Sequence, residues 1–291
     1  MVSVIWFLKN NDLVNCRKVP AMKNVLVISG SPRPQGNTYK ITKLIEEKIK
    51  ALDEITFEYL SLKKINLQFC RGCLVCMKKG EDKCPCRDDS IELRDKMLSA
   101  DGIIFISPVY VHTVSALMKN FYDRFAYMCH QPRFRDKAAM FVVTTELTGA
   151  QETLEYMRFP AFTWGFKMGP CIEVVYPGFK NGGKYREKTL NKITKGAKEF
   201  HSTLISVERK PLFRELAFFN LMKRKVTLHK DYLPADYNYW QKQGWIDRDF
   251  YSENNVPVLK SIIAKNLVKK KANKLIKSSG LDIEFGQKIV N

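Results

Sequence analysis

The sequence contains no apolar run that approaches the roughly 18 residues of a membrane-spanning helix, although the chain has 291 residues. It also lacks the parts of a secretory signal. The apolar patch at residues 4–8 has no basic segment before it, and no small-residue cleavage site follows. We therefore expect neither an integral membrane protein nor a signal peptide.

Residues 1–21 lack a clear pattern of their own, and Met22 stands immediately before the first strand-like run. We predict that this segment is a loose tail, or that Met22 is the functional start of the protein. Either reading leaves the organised part of the chain beginning at residue 22.

Acidic residues are scarce, with 30 Asp and Glu against 49 Lys and Arg and a formal net charge of +19. The imbalance is concentrated near one end, because from Lys180 onward there are 24 basic and 11 acidic residues. The basic character therefore belongs to the C-terminal part of the chain. No base-reading motif accompanies it, so we expect no specific nucleic-acid partner.

Two common nucleotide-binding fingerprints are missing, namely G-x-x-x-x-G-K-[ST] and the three-glycine dinucleotide pattern. Residues 23–38 (KNVLVISGSPRPQGNT) instead join an apolar run, typical of a strand buried on both faces, to a polar loop and a helix start. Backbone N–H groups, hydroxyls and one guanidinium can converge there on a phosphate, although a plain polar turn is the alternative. The predicted phosphate ligands are Ser31, Arg33, Gly36, Asn37 and Thr38.

Five segments have strand composition: residues 25–28, 55–60, 102–108, 138–145 and 172–176. Helical patterns occupy residues 91–100, 115–128, 153 onward and 185–205. This alternation predicts an α/β fold with right-handed crossovers and a doubly wound, five-stranded parallel sheet, with the first strand at its centre. Ligands of such sheets bind beyond the carboxyl ends of the strands.

Two further loops leave the predicted carboxyl ends. In residues 107–115, Pro108 is expected to stop the strand and Tyr110 can flank a planar ring, with ordinary loop packing as the alternative. In residues 144–150, Thr145 and Gly149 lie in a hydroxyl-rich loop before the next helix. Together with the first loop, these segments predict one ligand site.

The first loop (G-S-P-R-x-x-G-N-T) and the second (P-V-Y, then S-x-x-M-K-N-F-Y-D-R) resemble those of flavodoxin-like NADPH-dependent FMN reductases and of their relatives, the iron-sulfur flavoproteins. The resemblance covers roughly the first two thirds of the chain. It implies a flavodoxin-like FMN-binding domain over residues 22–205, with NAD(P)H as reductant. It also implies flavin contacts from Pro108, Val109, Tyr110, Thr145 and Gly149.

Five of the eight cysteines fall within residues 70–86, which does not suit a secreted disulfide framework and favours a reducing compartment. The compact C-x2-C-x2-C spacing suits an iron-sulfur cluster, and the resemblance implies a 4Fe-4S cluster in the insert at residues 66–87. A zinc site and a redox-active dithiol remain alternatives. The predicted ligands are Cys70, Cys73, Cys76 and Cys84, with Cys86 as a competitor for the fourth place.

Residues 206–291 form a basic extension with helical patterns at residues 212–225 and 259–276 and an aromatic linker at 232–245. The first pattern is rich in aromatic residues and closes with three basic residues, and the second has lysines interleaved with its apolar residues. The extension is expected to pack on the flavin domain or across a dimer interface, and the alternative is peripheral attachment to an anionic membrane. The packing interpretation is favoured because exposed aromatic patches are usually covered.

These features predict an FMN-dependent NAD(P)H oxidoreductase of the flavin or quinone reductase type, in the cytoplasm. The flavin performs the chemistry, so no catalytic side chain is predicted. The alternative is an iron-sulfur flavoprotein that carries electrons between proteins, and a flavin-bound sensor is a weaker third reading. A homodimer or tetramer is expected, since a neighbouring subunit could bring its insert over the flavin. The sequence does not name the electron acceptor.

Overall fold

The computed structural model describes residues 22–206, 210–252 and 256–279, with side chains as far as residue 270. The predicted tail and Cys16 lie outside the described residues. The first half of the fold contains β1 (Lys23–Ser29), α1 (Asn37–Lys50), β2 (Ile55–Ser61), α2 (Val75–Lys78), α3 (Ser90–Ser99), β3 (Gly102–Tyr110), β4 (Thr113–Val114) and α4 (Ala116–Arg124). The second half contains β5 (Ala138–Thr145), α5 (Ala150–Thr163), β6 (Lys167–Val175), α6 (Tyr176–Asn181), α7 (Gly183–Ile205), α8 (Phe213–Leu228), α9 (Pro234–Lys242) and α10 (Val258–Ser279).

The predicted five-stranded parallel sheet is confirmed, with strand order β2-β1-β3-β5-β6. The central position belongs to β3, so the prediction that the first strand is central is wrong by one place. The side chains of β3 and β5 are buried on both faces, as their continuous apolar runs predict.

Alternate residues of each strand supply two separate cores. Leu26 and Ile28 face the layer formed by α3, α4 and α5, whereas Val25 and Val27 face α1 and α7. This two-residue alternation fixes the register, because a slip of one residue would exchange the two faces. The carboxyl ends of the strands are thereby held on one edge of the sheet.

Two predicted strand boundaries differ from those in the structure. Pro108 does not stop β3, which continues to Tyr110 because Val109 and Tyr110 pair with the antiparallel β4. At the other boundary, β6 begins at Lys167 rather than residue 172, and Tyr176 to Gly178 open the helix α6. Pro177 is tolerated there because it lies in the first turn of α6.

The segment at residues 232–245 is not a linker, because most of it forms α9. Its aromatic side chains join α8 and a following loop in a separate apolar cluster, whose buried members are Phe219, Met222, Val226, Trp240, Trp245 and Tyr251.

Leu216 and Phe219 are completely buried, so these two side chains are not free to enter a membrane as the membrane alternative assumed. On α10, by contrast, Leu259, Ile263 and Leu267 are exposed. No helix within the described ranges is long and apolar enough to cross a membrane.

Candidate functional site

The three loops at the carboxyl ends of the strands form one connected unit. The hydroxyl of Ser115 donates to the Gly30 carbonyl at 2.5 Å and joins the second loop to the first. The hydroxyls of Thr38 and Thr144 lie 3.0 Å apart and join the first loop to the third. These short bonds bring the three predicted flavin-binding segments together at one edge of the sheet.

The first loop leaves the start of α1 open to an anion. Gly36 precedes the helix and supplies no side-chain cap, and the first turn of α1 carries no acidic residue. Its first N–H groups therefore point outward at the positive end of the helix dipole, where a phosphate binds favourably. Arg33 is exposed beside this position, and Asn37 is the first helical residue. The residues present thus fit a phosphate group.

Two predicted phosphate ligands already have partners within the protein. The hydroxyl of Ser31 is buried, donates to the Arg33 carbonyl at 3.0 Å and accepts from the Arg33 N–H at 3.2 Å, and so shapes the loop. Thr38 is buried against Thr144. A phosphate bound at the start of α1 would therefore be contacted by backbone N–H groups as well as by these two hydroxyls.

The second loop contains two consecutive residues with left-handed backbone. Val111 has φ 48° and His112 has φ 59°, and Val111 is 95% exposed at the tip of the β3–β4 hairpin. A β-branched residue in this region is a true outlier, and such strain is retained mainly at functional loops. Tyr110, 38% exposed, stands at the base of the turn, while Pro108 and Val109 lie inside the strand.

The third loop fits closely against the second. Gly149 has φ 83°, and a Cβ atom there would lie 2.9 Å from the His112 Cα atom and 2.9 Å from Val109 Cγ1. Only glycine allows this approach. The Thr145 hydroxyl donates to the Thr148 carbonyl at 2.7 Å, so Thr145 holds the loop shape and is less available to a ligand than the sequence suggested.

The five cysteines of the insert line a single cavity of about 130 Å³, together with Arg124 and Tyr127. Two carboxylates close the insert at its base, because Asp88 accepts from the Gln68 N–H and Asp89 from the Asn66 N–H, both at 2.8 Å. The spacing of the cysteines in the sequence therefore does bring them to one place. This is the second candidate site.

Cys84 differs from the other thiols because a buried guanidinium lies against it. Arg124 Nη1 donates to Cys84 Sγ at 3.2 Å, and Nη2 pairs with the Asp88 carboxylate at 2.8 Å. Burial opposes ionisation of Cys84, but the hydrogen bond and charge of Arg124 together with hydrogen bonds from Cys86 outweigh it and lower the pKa of Cys84. A thiolate is the form that binds metal, so this thiol is prepared to act as a ligand.

Cys86 has a different environment. It is 4% exposed and its thiol lies 3.6 Å from the Phe69 carbonyl, and burial raises its pKa. Cys70 and Cys73 are exposed, and Cys76 is half-buried. Cys84 therefore suits the fourth place better than Cys86.

Within the described residues, no three His, Cys, Asp or Glu side chains are close enough to hold one metal ion. The ligands of a cluster sit at separate corners and so lie farther apart than the ligands of a single ion. Shared access to one cavity and the lowered pKa of Cys84 suit thiolate ligation, which an iron-sulfur cluster and a zinc site both use. Cys129 and Cys171 are free thiols outside this cavity.

The sequence did not identify the residues that connect the three loops to one another or those that hold the cysteine insert. Ser115 caps α4, Thr144 is the last residue but one of β5, and Arg124 and Asp88 form the ion pair beside Cys84. Only Ser115 carried a local signal, as a serine directly before a helical pattern. A larger cavity of about 1140 Å³ lies at the opposite, amino edge of the sheet, beside Lys23 and Asp101.

Comparisons with known proteins identify one family and several relatives. The family described as NADPH-dependent FMN reductase matches residues 23–181. An iron-sulfur flavoprotein of Archaeoglobus fulgidus is 34% identical over 229 residues, which are 75% of this chain and 98% of the relative. An iron-sulfur flavoprotein of Methanocaldococcus jannaschii is 43% identical over 132 residues, which are 44% of this chain and 66% of the relative.

Among solved structures, an oxidoreductase from Corynebacterium diphtheriae superposes with a TM-score of 0.51. The match covers 64% of this chain and 99% of that protein, at 16% sequence identity. This likeness supports the fold alone.

Proposed function

The chain belongs to the NADPH-dependent FMN reductase family, and from that premise we propose that FMN lies across the three strand-end loops and that the cysteine insert holds an iron-sulfur cluster. The protein is an FMN-dependent oxidoreductase that uses NAD(P)H as reductant. FMN, when bound, accepts a hydride and supplies the redox chemistry. The side chains of the chain bind and orient it.

The connection between the three loops supports the flavin placement. The open start of α1 suits the phosphate, while Tyr110 and the glycine at position 149 border the space for the ring. We propose the contacts predicted from the sequence, with the backbone taking part of the role first given to Ser31 and Thr145. No charged side chain is needed for the hydride step itself.

The convergence of five thiols on one cavity is the single observation that carries the cluster proposal. The names of the relatives agree with it, since both are iron-sulfur flavoproteins. We assign Cys70, Cys73, Cys76 and Cys84 as the ligands of a 4Fe-4S cluster. Because these thiols must stay reduced to bind iron, we place the protein in the cytoplasm.

Anaerobic mixing with NADPH tests the enzymatic function and separates it from the electron-carrier alternative. We expect the flavin absorbance to bleach rapidly with NADPH alone and to return when a quinone or free flavin is added. Bleaching only with a reduced protein donor such as ferredoxin would favour the carrier. The relatives named as iron-sulfur flavoproteins are the reason to retain that second candidate.

Metal analysis tests the cluster separately. Protein purified without oxygen should contain iron and acid-labile sulfide, and replacing any one of the four proposed ligands by serine should abolish stable cluster binding. Cys86→Ser is the matched control and should keep the iron. Stoichiometric zinc without iron would favour the zinc alternative.

We further propose a homodimer or tetramer, in which the insert of one subunit approaches the flavin of another. Light scattering at micromolar concentration tests this, and a monomer that reduces acceptors at full rate would contradict it. Peripheral membrane contact would use the exposed apolar side chains and lysines of α10, with Phe213 and Leu221 exposed on α8. Binding to anionic but not neutral vesicles, weakened by salt, would support that contact.

A further inference from the structure

The C-terminal extension lies directly against the cysteine insert. Helix α9 packs on α2, the short helix that carries Cys76. Just before α9, the Tyr232 ring lies 4.4 Å from the Lys78 ammonium group at the end of α2. The extension therefore has a contact with the candidate cluster site that the function of the flavin domain does not explain.

A buried carboxylate on α9 organises the segment between α4 and β5. Asp236 is completely buried and receives two hydrogen bonds, from His130 Nδ1 at 2.6 Å and from Gln131 Nε2 at 2.8 Å. Lys225 Nζ lies 2.6 Å from the other ring nitrogen of His130, and Trp240 donates to the His130 carbonyl. Two helices of the extension thus hold residues 130 and 131.

The same segment reaches into the insert. Arg133 donates to the Gln131 side-chain oxygen and to Glu81 Oε1, both at 2.6 Å. Glu81 lies between Cys76 and Cys84 in the sequence and borders the cysteine cavity. The guanidinium of Arg133 also lies over the ring of Tyr239 on α9, at 5.2 Å. A continuous polar chain therefore joins Asp236 to the cysteine insert.

Cys76 lies close to this network, because α2, which carries Cys76, packs against α9, which carries Asp236. Asp236 is completely buried, so water screens charge effects between it and the insert only weakly.

We propose that the extension forms an outer wall of the cluster site, in which Asp236 acts as a positioning residue for the insert through Gln131, Arg133 and Glu81. This inference depends on the cluster proposed above and gives the extension a role in retaining it. Outer partners that orient metal ligands commonly change metal affinity by about 10–100-fold.

The test compares Asp236→Asn and Gln131→Met with wild-type protein, all as full chains loaded with iron and sulfide without oxygen. We expect both variants to release iron to a ferrous chelator about tenfold faster at a temperature well below their unfolding midpoints, with FMN content close to wild type. Asp236→Asn should also shift the cluster reduction potential to more positive values, because it removes a negative charge. Gln131→Met should shift it less.

Asp231→Asn, an exposed change in the same extension, is the matched control and should behave as wild type. If wild-type protein takes up no iron, the cluster proposal fails and this inference falls with it. If wild-type protein holds the cluster and both variants release iron at the wild-type rate, only the positioning role is overturned. Should Asp236→Asn fail to fold, Gln131→Met decides the outcome.

Discussion

The three strand-end loops and the cysteine insert are held by different kinds of interaction. Neutral hydrogen bonds and close backbone contacts join the loops, as at Ser115 with Gly30 and at Gly149 with His112. Ion pairs hold the insert, namely Asp88 with Arg124 and Glu81 with Arg133. The loops depend on the adjoining sheet, whereas the insert depends on charged residues from distant parts of the chain.

This difference sets the expected cost of a substitution. Loss of a neutral hydrogen bond costs about 1 kcal/mol, but loss of one partner of a buried ion pair leaves an unpaired charge and costs about 3–5 kcal/mol. The insert should therefore be the more sensitive region to single changes. The loops should lose ligand affinity before they lose stability.

The largest effect is expected for Arg124→Met. The side chains of Arg124 and Asp88 are 3% and 0% exposed, so the substitution leaves a buried carboxylate unpaired. We expect the free energy of unfolding at pH 7 to fall by about 3–5 kcal/mol, measured by urea denaturation. Lys119→Met is the matched control on the same helix, because Lys119 pairs with Asp123 at the surface and should cost under about 1 kcal/mol.

The difference in stability between Arg124→Met and the wild-type protein should also depend on pH. Burial raises the pKa of Asp88, but the hydrogen bonds that its carboxylate accepts from Ser90, Arg124 and the Gln68 backbone together lower that pKa below the ordinary value of 3.8. The contribution of Asp88 to wild-type stability is therefore complete above that value and is lost as the pH falls below it. Arg124→Met should approach wild-type stability in acid, where its buried carboxyl is protonated. A deficit independent of pH would contradict this explanation.

The sequence predicted the sheet and the strand-end loops well because their signals are local. Continuous apolar runs identified β3 and β5, and a polar loop between a strand and a helix indicated the candidate phosphate position. The compact spacing of the cysteines indicated a shared site. The partners of the insert could not be predicted, since Arg124, Arg133 and Asp236 reach it only through tertiary packing. Helix α9 was misread because its many aromatic residues serve a core that the extension forms for itself.

An intermediate effect is expected for Arg33→Ala in the first loop. Arg33 is exposed and makes a charge-assisted contact only when the phosphate is present, so its loss should weaken FMN binding by about 1.5–3 kcal/mol and barely alter stability. Flavin fluorescence titration of the apoprotein measures the affinity. Lys48→Ala, at the far end of the same helix, should leave it unchanged. Equal FMN affinity in both variants would mean that the phosphate lies elsewhere.

The smallest expected effect concerns the strained hairpin tip. Val111 holds φ 48° with an almost fully exposed side chain, and a left-handed conformation costs a residue with a Cβ atom about 1–2 kcal/mol. Asparagine tolerates this conformation better, so Val111→Asn should raise the free energy of unfolding by about 0.5–1 kcal/mol. Thr113→Asn is the control, because Thr113 lies in the extended strand β4 and gains no such relief. If both variants lose stability alike, the left-handed backbone at Val111 carries no measurable strain, and the second loop has no more stored energy than the first.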